Sequence, residues 1–350
     1  MTTAFAPGRV NIIGEHTDYT GGLVLPMALE LGVTITGRLG GDRLKMTSAD
    51  HSPLDIEIGG LVSVGTGSMP AVDITSQLET VEPAWGRFVV AVANQLGVSP
   101  AFEGSITSNL PTGGTGLSSS TALSCAALML FGGSGDPLEL AKLARQAEID
   151  ATGVQIGIMD QAASLAGRAG HALLLDCSDL ALRHIEMPES LEVLVVHSGH
   201  SRQLADSAYN DRQEACAAIE ALIGPLREAT LSDLDELADP TLRKRARHVI
   251  TENARVLAMV EAFAADDPVA AGSILSDGHV SLRDDYEVSI PEVDELVEVL
   301  NNTDGIYGAR MTGGGFGGSL VALCRPGTDL NVDTWWTRAR PGDGARLIES

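Results

Sequence analysis

A chain of 350 residues, 44% hydrophobic and 20% charged, is globular in balance and long enough to bury more than one core. Its 23 Lys and Arg against 47 Asp and Glu leave a net charge of −24, a field that repels nucleic acid and anionic membrane and leaves solubility as the plain reason for the acidity. Cys125, Cys177, Cys216 and Cys324 have neither metal nor redox spacing, and Met1-Thr2-Thr3-Ala4 lacks a basic start and an apolar run, so reduced thiols in a cytoplasmic protein are expected.

Residues 4 to 60 read as strands and turns. Val33-Thr34-Ile35-Thr36 and Leu54-Asp55-Ile56-Glu57-Ile58 alternate apolar and polar with period two, and Gly21-Gly22 and Gly40-Gly41-Asp42 are turns. Residues 59 to 70, rich in Gly and Ser, predict an exposed loop. A helix is expected from Trp85 to Leu96 and a strand through Phe102 and Ile106. A helix from about Ser119 stops at Gly132-Gly133. Asp136-Pro137 is a cap followed by proline at the first helical position, opening a helix that ends at Gly153. A short helix follows Gly157-Ile158-Met159-Asp160.

The texture then changes, with a boundary expected near residue 165. Ala172 to Asp176, Leu182 to Glu186 and Leu191 to His197 read as strands. Residues 203 to 223 and 242 to 265 read as amphipathic helices joined by the acidic stretch 232 to 239. Val293 to Leu300 predicts a helix, Ile306 to Met311 a strand, and Leu320 to Leu323 a final strand. The longest apolar helix candidate, Thr121 to Phe131, is too short to span a bilayer.

Three glycine-containing stretches carry the chemistry. In Leu110-Pro111-Thr112-Gly113-Gly114-Thr115-Gly116-Leu117-Ser118-Ser119-Ser120 a flexible loop opens into an Ala- and Leu-rich helix. The free amides and the positive dipole end of such a helix suit a phosphate, and the three hydroxyls add donors and a Mg²⁺ ligand. A turn before a serine-capped core helix explains the same residues. The Gly-Lys-Ser/Thr ending of a Walker A loop is absent, and Gly114-x-Gly116 lacks the third glycine and the βαβ setting of a dinucleotide fingerprint. Gly8-Arg9-Val10-Asn11-Ile12-Ile13-Gly14-Glu15-His16-Thr17-Asp18-Tyr19 crowds polar groups that suit a polyhydroxylated ligand, or simply a polar turn. A metal reading of Glu15-His16-x-Asp18 lacks a second cluster. The third stretch, Thr312 to Gly318, is a tight turn between strands that also lets backbone approach a phosphate or sugar.

Together these stretches resemble the GHMP kinase superfamily and, within it, the galactokinase family. Ser281-Leu282-Arg283-Asp284-Asp285-Tyr286-Glu287-Val288-Ser289 and Gly157-Ile158-Met159-Asp160-Gln161 are similar to galactokinase segments too, so the likeness runs from about residue 4 to 325. It implies an α+β fold of two domains. Residues 1–165 would form a mixed α/β domain like ribosomal protein S5 domain 2, and residues 166–350 a ferredoxin-like α+β domain, with the active site between them.

The same resemblance implies an ATP- and Mg²⁺-dependent kinase for the anomeric hydroxyl of D-galactose; with the cysteines and charge above, a cytoplasmic monomer with no nucleic-acid or membrane partner is expected. Asp160 falls on the family's catalytic aspartate, which receives the proton of the sugar hydroxyl. Arg9 would hold Asp160 ionised and offset charge on the phosphoryl group. Glu15, His16, Asp18 and Tyr209 fall on sugar contacts. Pro111, Gly113, Gly114, Gly116, Leu117, Ser118, Ser119 and Ser120 fall on the ATP loop, Ser120 and Glu148 on the Mg²⁺ ligands, and Gly313, Gly314 and Gly315 on the third motif.

The alternatives are a kinase for a related sugar, such as L-arabinose or galacturonate, and a galactose- and ATP-binding sensor without catalysis. Ile12, Thr20, Thr121 and Ile156 depart from the family's usual Leu, Asn, Ala and Cys, and little effect is expected of Thr121, which suits a first helical turn. The start close to the first strand, where relatives carry a longer leader, is expected to leave the chemistry in place. Arg283 to Glu287 reads as a charged helix segment pairing locally and receives no chemistry. Trp85 reads as a core aromatic, with a place near the adenine as the alternative. His197 and His200 read as turn residues.

Overall fold

The computed structural model describes residues 1–57, 78–111, 115–200 and 205–348. The expected loop at 59–70, Ile58, Gly113 and Gly114 lie outside them. A six-stranded sheet runs in the order β13-β1-β3-β6-β4-β5. Its strands are β1 (Thr2–Asn11), β3 (Pro26–Leu39), β4 (Arg43–Ser48), β5 (Leu54–Glu57), β6 (Phe102–Ser108) and β13 (Arg346–Ile348). All neighbours are antiparallel except β4 and β6. The β1–β3 register shifts between Pro7 and Arg9. Such an irregularity re-aims a side chain next to a site, and here the side chain is Arg9.

Helices α1 (Gly86–Leu96), α2 (Ser119–Leu130), α3 (Pro137–Thr152) and α4 (Met159–Ala166) cover this sheet. Nine residues of α2, from Thr121 to Leu128 and Leu130, are buried, which makes it the central helix of the layer rather than a surface one. Asp136 caps α3 through Leu138 N and Glu139 N, and Gly153 ends it at φ 73°, as the sequence predicts.

A second sheet, β10-β11-β9-β12, divides two cores. On β9 (Glu192–His197), Val193 and Val195 face the core beneath α2 while Leu194 and Val196 face the other. On β11 (Ser319–Cys324), Val321 and Leu323 oppose Leu320 and Ala322 in the same way. Both faces are covered, so these strands read as continuous apolar runs. Helices α5 (Ala205–Ile223), α6 (Pro240–Ala264), α7 (Pro268–Ser281) and α8 (Pro291–Asn301) complete the second half with β10 (Ile306–Met311) and β12 (Trp336–Ala339). A small sheet, β2-β7-β8, joins β2 (Leu23–Val24) to β7 (His171–Asp176) and β8 (Leu182–Glu186).

The strand expected to be last is followed by two more. β12 is a short edge strand and β13 is three exposed residues on β1, too few to carry a period. Helix α7 has no sequence counterpart in the reading above. Its Pro-Val-Ala-Ala-Gly-Ser-Ile-Leu-Ser-Asp-Gly stretch shows no apolar stripe, and its glycines lower helix propensity. Gly272 is there for contact: a Cβ on it would lie 2.2 Å from the Tyr307 carbonyl of β10. Arg283–Glu287 is a single π turn (Leu282–Tyr286) ending at Glu287, φ 54°. Only Arg283 pairs locally, with Asp284; Asp285 pairs with Arg247, and Glu287 with Lys244 and Arg245 of α6. The charges thus tie the turn to α6 instead of to itself.

Candidate active site

Arg9 leaves β1 at the register shift and forks onto Asp160 in the first turn of α4. Nε donates to Oδ1 and Nη2 to Oδ2, both at 2.7 Å, while Nη1 donates to the Gly116 carbonyl at 2.6 Å. A bidentate pair fixes both planes. Ser118 also donates to Asp160 Oδ2. Ser118 is the residue before α2 and sits at φ 57°, a left-handed conformation that costs a non-glycine residue free energy and recurs at functional sites. Counting lone pairs, Oδ2 is filled, and Oδ1 keeps one acceptor position free. The Asp160 side chain is 26% exposed.

Glu148 of α3 is buried and accepts from Ser120 Oγ and Thr121 Oγ1, both at 2.8 Å, and from Gln161 Nε2 at 2.7 Å. Burial pushes its carboxyl pKa up, against the pull of those hydroxyls. Glu148 and Ser120, 2.8 Å apart, are a pair of hard oxygen donors lining the small and large cavities respectively, which fits a hard divalent cation that takes its remaining ligands from phosphate and water. Among the described residues no three His, Cys, Asp or Glu converge as a metal cluster, so the Glu15-His16-x-Asp18 metal reading gains nothing.

The sugar signature forms a second pocket. His16 adopts φ 64°, and its Nδ1 lies 3.0 Å from the Tyr19 hydroxyl. Its ring lies 4.7 Å from Tyr286 and 5.6 Å from Tyr209 of α5. Tyr19 and Tyr286 hydroxyls are 2.6 Å apart. Tyr286, assigned nothing on sequence, is therefore the buried back wall of this aromatic group. Its only sequence signal is the likeness of residues 281–289 to the family. Asp18 rests on Gly157, where a Cβ would fall 1.6 Å from Oδ2; no other residue leaves the carboxylate that place. Burial, and next the Asp160 charge, raise the Asp18 pKa to about 6. Glu15 is buried and receives donors from Arg310, Thr312 and Gly313. Burial, only partly opposed by the Arg310 charge, raises its pKa.

Among the described residues, two cavities meet at the Arg9–Asp160 pair. The larger, about 760 Å³, is lined by Asp50, His51, Trp85, Phe88, Pro111 and Gly116 to Ser120. Trp85 packs half-buried against the core and also walls this cavity, its Nε1 on the Ser52 carbonyl; Asp50 and His51 carried no sequence signal. The smaller, about 230 Å³, is lined by Glu15, His16, Asp18, Glu148, Tyr209, Gly313 and Gly314. Arg9 and Asp160 line both. The structure therefore brings together every expected site residue that it describes, except that Gly315 is absent from both linings and instead turns the β10–β11 hairpin at φ 92°.

Comparison with known proteins identifies the family. A family model for the galactokinase galactose-binding signature matches residues 2–39, that of the GHMP kinase N-terminal domain residues 84–168, and that of the GHMP kinase C-terminal domain residues 259–332. The galactokinase of Chloroflexus aggregans is 40% identical over 340 residues, 91% of this chain and 83% of that protein. That of a Roseiflexus species is 40% identical over 339 residues, 91% of this chain and 82% of that one. Among solved structures, Lactococcus lactis galactokinase complexed with galactose superposes with a TM-score of 0.85 at 29% identity, covering 99% of this chain and 95% of that one. Mevalonate kinase of Methanococcus jannaschii, at 17% identity and TM-score 0.68 over 97% and 98% of the two chains, shares the fold. On this likeness across nearly its whole length, the chain belongs to the galactokinase family of GHMP kinases.

Proposed function

We propose that the protein transfers the γ-phosphoryl group of ATP to the anomeric hydroxyl of D-galactose, giving α-D-galactose 1-phosphate and ADP. The observation that carries this reading is the meeting of a large cavity and a small one, the latter holding Glu15, His16, Asp18 and Tyr209, at a single Arg–Asp pair. A nucleotide in the first and a monosaccharide in the second would face each other across Arg9 and Asp160.

In this mechanism the sugar hydroxyl donates to the free position on Asp160 Oδ1. Its oxygen forms the new bond to the γ-phosphorus, the bond to the β-bridging oxygen breaks, and ADP leaves with that electron pair. The proton passes to Asp160 late, because phosphoryl transfer of this kind needs orientation more than base strength. Arg9 keeps two N–H groups beyond those that bind Asp160 and Gly116, and these suit charge on the transferring group. The amides opening α2 suit the phosphates. Ser120 and Glu148 would hold Mg²⁺, which supplies charge neutralisation of the ATP phosphates. His16, Asp18, Tyr209 and Glu15 would receive the sugar hydroxyls.

We also propose a division at residues 1–165 and 166–350, a monomer and a cytoplasmic location. Four free cysteines support a reducing compartment, and no helix among the described residues is long and apolar enough to cross a membrane. A panel of D-galactose, L-arabinose, D-galacturonate and D-glucose in an ATP-dependent ADP-release assay tests the activity. D-galactose is expected to give the highest kcat/KM. Turnover of another sugar in its place, or binding of galactose and ATP with no ADP released, would replace the reading with a related kinase or a sensor.

A further inference from the structure

The carboxylate of Glu15 is held entirely from the far half of the chain. Arg310 Nη2 donates to Oε2, and Thr312 Oγ1 and Gly313 N donate to Oε1 at 3.0 and 3.2 Å. A carboxylate accepts about four hydrogen bonds, so Oε1 is filled and Oε2 keeps one position. Glu15 is 1% exposed, yet it lines the small cavity. Only that last lone pair is offered to a ligand.

The same guanidinium also sets the backbone beneath. Arg310 Nη1 donates at 2.7 Å to Glu252 Oε1, and that oxygen accepts from Gly14 N at 2.9 Å and Glu15 N at 3.4 Å. Arg255 holds the other Glu252 oxygen at 2.8 Å. Arg310 and Glu252 are wholly buried. A buried cluster of this kind is poor value for stability alone, since apolar side chains of similar volume commonly do as well. What an arginine adds is a rigid planar fork that fixes two acceptors at a set angle, which a lysine cannot do.

We infer that Arg310 is a positioning residue for the sugar. Lying between Glu15 and Glu252, it aims the one free lone pair of Glu15 at a single hydroxyl of the substrate and so sets the preference for a sugar bearing it. The inference rests on the proposed reading of the small cavity as the sugar site.

The test is a profile of galactose and its 2-, 3-, 4- and 6-deoxy analogues on wild type, Glu15→Gln, Arg310→Lys and Glu252→Gln. It is read by kcat, KM for sugar and for ATP, and binding calorimetry. Loss of a hydroxyl that a buried polar group awaits is heavily penalised. The hydroxyl served by Glu15 is the one whose penalty Glu15→Gln removes. Arg310→Lys is expected to raise KM for galactose about tenfold or more, leave KM for ATP within about twofold, and flatten the penalty at that same hydroxyl alone. Glu252→Gln, which keeps the acceptor for Gly14 and Glu15, is expected to flatten it partly.

A deoxy profile parallel to wild type in Arg310→Lys, or KM for ATP rising with that for galactose, overturns the inference in favour of a structural role. If Arg310→Lys does not fold, an unchanged profile in Glu252→Gln overturns it. Should wild type bind galactose without phosphorylating it, the functional reading falls while the calorimetric profile still decides the role of Arg310. Absence of galactose binding overturns both.

Discussion

Two arginine–carboxylate centres lie in one molecule and do opposite work. Arg9 and Asp160 open onto both cavities, with Asp160 a quarter exposed and one acceptor position free. Arg310, Glu15 and Glu252 are buried, at 0 to 1% exposure, and of the three only Glu15 lines a cavity described above. The pairing chemistry is the same in both. Exposure separates a centre suited to reacting from one suited to holding, and each should fail differently when cut.

The largest expected effect is at the open centre. Asp160→Asn should lower kcat about 10²- to 10⁴-fold, the span of a positioned acid or base, with the thermal midpoint nearly unchanged. A large loss of stability with modest loss of kcat would reverse the two roles. At the sealed centre the expected loss is in folding. Arg310→Met leaves two carboxylates buried without their cation and should cost about 3–5 kcal/mol in denaturant titration. A loss under about 1 kcal/mol would make the cluster dispensable.

Between the two centres sits Asp18. Gly157→Ala puts a methyl group where the Asp18 carboxylate lies and should raise KM for galactose about tenfold while leaving KM for ATP unchanged, by steady-state kinetics. The smallest effect concerns pH. Because the fold raises the Asp18 pKa from 3.8 to about 6, the folded state holds this proton more tightly than the unfolded one. Stability is therefore lost as pH rises between those values, and the charged carboxylate opposes folding above them. Asp18→Asn should raise the melting temperature at pH 8, with the gain gone by about pH 4, while weakening sugar binding. A gain independent of pH would remove the titration from the explanation.

The open centre was largely legible in the sequence, whereas of the sealed one only Glu15 was. Arg9 to Tyr19, Gly116 to Ser120 and Gly157 to Gln161 are contiguous runs, and loops that place backbone and side chains against a ligand must be local. Glu252 and Tyr286 act through partners far along the chain: Glu252 meets Arg310 58 positions away, and Tyr286 meets Tyr19 267 positions away. A glutamate inside an amphipathic helix looks like any solvated one until packing seals it. Arg310 stands two residues before Thr312, the start of the third glycine motif, but differs in no local way from a strand arginine. The fold shows the same split. The caps of α3 were readable in Asp136 and Gly153, whereas α7 was hidden because its glycines serve close contact with β10, a long-range fact that local propensity contradicts.

The central claim is that two ligands meet at Arg9 and Asp160 and exchange one phosphoryl group at the anomeric oxygen. Phosphorus NMR of wild type with ATP, Mg²⁺ and galactose carbon-13 labelled at C1 tests it most directly. The account predicts a new phosphate ester coupled to C1 in the α configuration, formed in step with ADP. Phosphate on another hydroxyl, or inorganic phosphate released at the same rate without galactose, would contradict it.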